Sequence, residues 1–91
     1  MENKMNSSLL FKAILSLENE KECAAFFEDL CTMKEIKDMV DRLEVANLLL
    51  EGETYETIVK KTKMSSATIS RVNRCIQYGK GGYKKILSRI E

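Results

Sequence analysis

Residues 35–51, EIKDMVDRLEVANLLLE, constrain the fold more than any other stretch. At helical spacing, Ile36, Met39, Val40, Leu43, Ala46 and Leu50 form one apolar face, and Val45, Leu48 and Leu49 form a second. A helix apolar nearly all round must be buried nearly all round. A chain of 91 residues makes one small domain that buries a modest share of its surface, too little to cover such a helix alone. A partner chain is therefore expected to complete the core.

Every other strong period is also helical. Leu10, Ala13, Ile14 and Leu17 share one face of a first helix. Asn19 and Glu22 can cap a second, which carries Ala24, Phe27, Leu30 and Cys31. Thr32-x-x-Glu35 is a capping box for the long helix, with Cys31 and Ile36 placed as its hydrophobic staple and Gly52 supplying the left-handed end. A short helix from about Thr54 to Thr62 should turn Ile58, Val59 and Tyr55 inward. Lys63 and Met64 connect it to a helix capped by Ser65, with Met64 and Ile69 at staple spacing, which ends at Gly79. The segment Gly79-Lys80-Gly81-Gly82 reads as a turn with left-handed positions. It is no phosphate-binding loop, because it lacks the GxxxxGK[ST] spacing and follows no strand. A last helix, about Tyr83 to Ile90, should bury Ile86, Leu87 and Ile90. The organisation is one domain over residues 1–91, with dimerisation helices over 6–52, a helix pair over 54–79 and a C-terminal helix over 81–91.

Composition narrows the function. There is no histidine, and Cys23, Cys31 and Cys75 form no CxxC pair, so neither a metal site nor a disulfide framework is expected. No nucleophile elbow or acid pair in a recognisable pocket sequence is present, so an enzyme is not expected and no cofactor is implied. No apolar run is long enough to span a bilayer, and Met1-Glu2-Asn3-Lys4 leads into no signal-like segment. The expected setting is soluble and cytoplasmic, without a membrane partner. Charge is uneven: residues 1–52 hold six cations and eleven acids, and residues 53–91 hold nine cations and three acids. A basic half suits a polyanionic partner, although a solvated charged face is the plainer alternative.

Two helices joined by a brief connection, the second basic and short-chained on its outer side, describe a helix-turn-helix. On a helical wheel Ile69, Val72 and Ile76 face the core, while Ala67, Ser70, Arg71 and Arg74 face outward with Ser66 and Thr68 beside them. Small outward residues let a helix backbone approach base edges in the major groove. Alanine and threonine methyls can meet the thymine methyl, hydroxyls can serve bases or phosphates, and arginine can grip guanine or phosphate with two hydrogen bonds. Lys60, Lys61 and Lys63 precede this helix and can meet flanking phosphates; Ser65 stands at its start. An ordinary amphipathic pair with a solvated outer face would show the same wheel.

The segment TYETIVKKTKMSSATISRVNR resembles the bacterial repressor helix-turn-helix, in which SxATISRV opens the recognition helix. With the preceding CTMKEIKDMVDRLEVANLLLEGETYETI it is similar to the tryptophan repressor family, and more closely to its repressor-related YerC/YecD-type members. The resemblance covers about Phe26 to Tyr78. It implies an all-α, six-helix fold with a helix-turn-helix, in an intertwined homodimer. It further implies two recognition helices about one DNA turn apart, reading a pseudo-palindromic operator in double-stranded DNA as a transcriptional repressor. Two positions depart from the common unit: Val59 stands where a small residue is usual, and Lys63 where the turn usually has glycine. A left-handed lysine costs about 1 kcal/mol, so a looser or differently shaped connection is expected.

Tryptophan repressors clamp the amino acid between two arginines. The resemblance matches these to Arg42 and Arg71, and matches Thr32 to a residue lining the pocket. Val72 replaces the glycine that follows the second arginine, and Cys75 replaces a serine that helps hold the ligand amino group. A corepressor of the tryptophan kind is therefore not expected. Arg42 can instead pair with Asp38 or Glu35, and Arg71 can serve a phosphate. Three functions remain: a DNA-binding regulator, an amino-acid-gated repressor using Arg42 and Arg71, and a helical dimeric protein-interaction adaptor.

Overall fold

The computed structural model describes residues 6–90; Glu91 and the Met1–Lys4 opening considered above lie outside the described residues. Within them the chain is all-α, with α1 Ser8–Leu15, α2 Glu20–Leu30, α3 Met33–Leu50, α4 Tyr55–Thr62, α5 Ser66–Tyr78 and α6 Gly82–Arg89. Two compact units divide at Ile36 and Lys37, and α3 runs through both.

In the first unit neither α1 nor α2 has a buried side chain. Ala13, Ile14 and Leu17 are half-buried, but Leu10 of the same stripe is exposed, as are Leu9, Phe11 and Leu15. Phe26 and Phe27 of α2 meet edge to face, with centroids 5.6 Å apart. Asn19 caps α2 by accepting from the Glu22 amide at 2.8 Å. The Glu22 carboxylate reaches back to the amide of Glu18, at 3.0 Å, one residue before the cap. The box at α3 is complete. Thr32 Oγ1 accepts from the Glu35 amide at 3.1 Å, and Glu35 Oε1 accepts from the Thr32 amide at 2.8 Å. Two amides that the helix cannot pair are thereby satisfied.

The second unit holds the core. The end of α3 closes through a left-handed Gly52, φ 88°. The Gly52 amide donates to Leu49 O and the Glu53 amide to Leu48 O, which is the Schellman pattern. Just inside that end, Val45 and Ala46 are fully buried and join Ile58 of α4, Ile69 and Val72 of α5 and Leu87 of α6. Leu48, Leu49, Met64, Ile76 and Tyr83 pack around them. Burying a branched aliphatic side chain stabilises by about 1.5–3 kcal/mol, so Val45, Ile58 and Ile69 are the main anchors of the helix-turn-helix. The other face of α3 stays open, with Val40, Leu43 and Leu50 exposed.

Several side chains expected inside lie outside. Tyr55 and Val59 of α4 are both exposed, and Ile86 and Ile90 near the end of the chain are more so. An eight-residue helix can aim only one narrow stripe at a neighbour, and Ile58 and Leu87 occupy those stripes. Exposure at Val59 also explains how that position accepts a side chain larger than usual. The turn before α6 differs in detail: Gly81 is left-handed, φ 79°, whereas Gly79 is not, φ −87°. Gly79 is needed for space, because a Cβ there would lie 2.4 Å from the Cys75 carbonyl oxygen.

Candidate nucleic-acid interface

Residue Lys63 closes α4 and begins the turn to α5. It is left-handed, φ 64° and ψ 13°, so the connection keeps the form that glycine usually provides and is not the looser one expected from a lysine. Local bonds hold it there. The Lys63 amide donates to Val59 O at 2.8 Å. Thr62 Oγ1 donates to Ile58 O at 2.7 Å and accepts from the Met64 amide at 3.1 Å. Ser65 then caps α5, its Oγ accepting from the Thr68 amide at 3.2 Å.

With Ile69 and Val72 buried, the opposite face of α5 is committed to solvent. Ser66, Ala67, Ser70, Arg71 and Arg74 are all exposed. Ala67, Ser70, Arg71, Arg74 and Cys75 line one shallow basin along the helix, a surface of short side chains flanked by two guanidinium groups. Thr68 is different from the others: it is half-buried, and its Oγ1 lies 3.1 Å from Ser65 Oγ, which ties it to the cap. Lys60, Lys61 and Lys63 are exposed. Lys61 Nζ is 3.7 Å from Glu53 Oε2, and Lys60 and Lys61 also suit the negative end of the α4 dipole.

Arg42 and Arg71 come together on a cavity of about 290 Å³ inside the second unit. Met64, Thr68, Val72 and Cys75 line it with them. Asp38, Asp41 and Tyr83 complete the wall and were not anticipated from the sequence. Asp38, Asp41 and Arg42 share one face of α3 by their spacing, which is a legible signal; Tyr83 arrives only through the packing of α6. Among the described residues Arg42 forms no ion pair with Asp38 or Glu35. Asp41 is bound instead by Lys37, at 2.8 Å, and this hydrogen bond, aided by the carboxylate charge, raises the Lys37 pKa. Thr32 belongs to the first unit, where its hydroxyl serves the α3 cap.

The family model for the Trp repressor protein matches residues 6–91. The chain belongs to the Trp repressor family. That membership places it among DNA-binding transcriptional regulators of the Trp-repressor type. It is 51% identical over 82 residues to the uncharacterized protein YerC of Bacillus subtilis (strain 168), covering 90% of this chain and 79% of that protein. A crystal structure of a TrpR-like protein from Eubacterium eligens ATCC 27750 superposes with a TM-score of 0.88 at 49% identity, over 91% of this chain and 86% of the other. A candidate Trp repressor from Staphylococcus aureus gives 0.88 at 44% identity, over 96% and 95%. The six-helix architecture and the helix-turn-helix of α4 and α5 are thus those of the Trp repressor family. No helix among the described residues is long and apolar enough to cross a membrane.

Proposed function

We propose that the chain is a sequence-specific DNA-binding regulator, a repressor, that acts as a homodimer. It reads a pseudo-palindromic operator through the helix Ser66–Tyr78, and it does so without tryptophan as corepressor. The observation that carries this reading is the outer face of α5, where Ala67 and Ser70 stand exposed on the same surface as Arg71 and Arg74. Short side chains permit close approach to base edges, and the arginines supply bidentate donors for guanine or phosphate. Ser65, Ser66 and Thr68 at the start of the helix offer hydroxyls to base edges or phosphates, and Lys60, Lys61 and Lys63 before it meet the phosphate backbone. The exposed Val40, Leu43 and Leu50 of α3, together with the uncovered α1, support the dimer.

Arg74→Ala tests the interface. Affinity for the preferred site should fall about 10- to 100-fold, matching about 1–3 kcal/mol for one good base contact, while the urea midpoint stays within error. An unchanged affinity would remove Arg74 from the interface, and an equal loss of stability would make it a structural residue.

The shared cavity gives a second reading some support. Arg42 and Arg71 line this space together with Asp38 and Asp41, so the wall offers both signs of charge, which suits a zwitterion such as a free amino acid. Against tryptophan stands Val72, whose branched side chain takes up part of the cavity wall. Calorimetry with the free amino acids decides: the effector-free reading expects no heat and no change in DNA affinity. Saturable heat coupled to tighter operator binding would establish the gated repressor.

A further inference from the structure

Lys63 is the one described residue other than glycine with a positive φ, 64°. For an L-residue with a long side chain this conformation is unfavourable, and glycine would adopt it freely. The bonds of the Lys63 amide to Val59 O and of Thr62 Oγ1 to Ile58 O and the Met64 amide use only backbone and threonine atoms. Nothing that shapes the turn therefore needs the lysine side chain. That side chain is exposed and forms no ion pair among the described residues, unlike that of Lys61, which has Glu53 at 3.7 Å. Lys63 stands in the turn between α4 and α5, two residues before the Ser65 cap of the helix that begins Ser66-Ala67.

We infer that Lys63 is a strained DNA-contact residue, kept in a glycine position because its ammonium binds a phosphate of the duplex as α5 enters the groove. The inference rests on the DNA-binding reading above and adds to it a loss of stability in exchange for affinity. Strain of this kind persists at functional positions where the surroundings hold the backbone in place. In a homodimer the contact occurs twice, and each neutralised phosphate steepens the log–log salt dependence by about 0.9.

The test uses the full chain as Lys63→Gly, Lys63→Asn and Lys63→Arg. Asparagine tolerates the left-handed region and carries no charge, whereas arginine keeps both charge and strain. Urea unfolding at fixed protein concentration reads the strain. Binding to a mixed-sequence duplex over a KCl series reads the contact. The glycine and asparagine variants should raise the folded-to-unfolded ratio, about fivefold for glycine. Both should flatten the salt slope by about 2 per dimer, while the arginine variant changes neither. Greater stability with an unchanged slope would overturn the contact, and a flatter slope with no gain in stability would overturn the strain. If the wild-type protein showed no salt-dependent duplex binding, the DNA-binding reading itself would fall and take this inference with it.

Discussion

Leu43→Asp is expected to break the protein apart, although Leu43 is 46% exposed in the single chain. On a monomer an exposed position of this kind tolerates substitution within about 0.5 kcal/mol. In a dimer whose partner covers this face of α3, the same change places an unpaired carboxylate in an apolar interface. That costs at least about 3 kcal/mol, and it occurs in both copies. Leu43 lines an apolar groove with Tyr83, Ile86 and Leu87, and Lys80 is the cation in that lining. Sedimentation equilibrium should show dissociation, and the urea midpoint should fall and become strongly dependent on protein concentration. Unchanged sedimentation and stability would mean that this face meets water.

The second large effect concerns the anchor of the recognition helix. Ile69 is fully buried against the cluster that contains Val45, Ile58 and Val72. Ile69→Ala should destabilise the fold by about 2–5 kcal/mol, through lost transfer free energy and the cavity left behind. Ile69→Val should cost about 0.5–1.5 kcal/mol. DNA affinity should follow stability here, because α5 loses the contact that fixes its outward face. Urea unfolding of the two variants beside the wild type measures this. A loss under 1 kcal/mol for alanine would show that α5 is not held by this side chain.

Much of this architecture was legible because its signals are local. The Thr32–Glu35 box, the Gly52 end of α3 and the Ser65 cap each involve residues within a few positions, and each forms as the spacing implies. The buried stripe of Ile69 and Val72 followed from the helical period, and that stripe left the opposite face to Ala67, Ser70 and Arg74. Burial on short helices was less legible. Tyr55, Val59, Ile86 and Ile90 have apolar character, yet which of them a chain buries depends on the neighbour each helix meets. For the same reason Tyr83 was not foreseen on the cavity wall. Lys63 shows a different limit: its left-handed backbone is held by Val59 O and Thr62 Oγ1, partners that the composition of the turn does not reveal.

The most direct measurement of sequence-specific recognition is selection of binding sites by the purified full-length protein from a randomised or genomic DNA pool. The expected result is a single enriched motif with two related half-sites about one helical turn apart, bound with an affinity that falls steeply with salt. Recovery of no preferred sequence would contradict it.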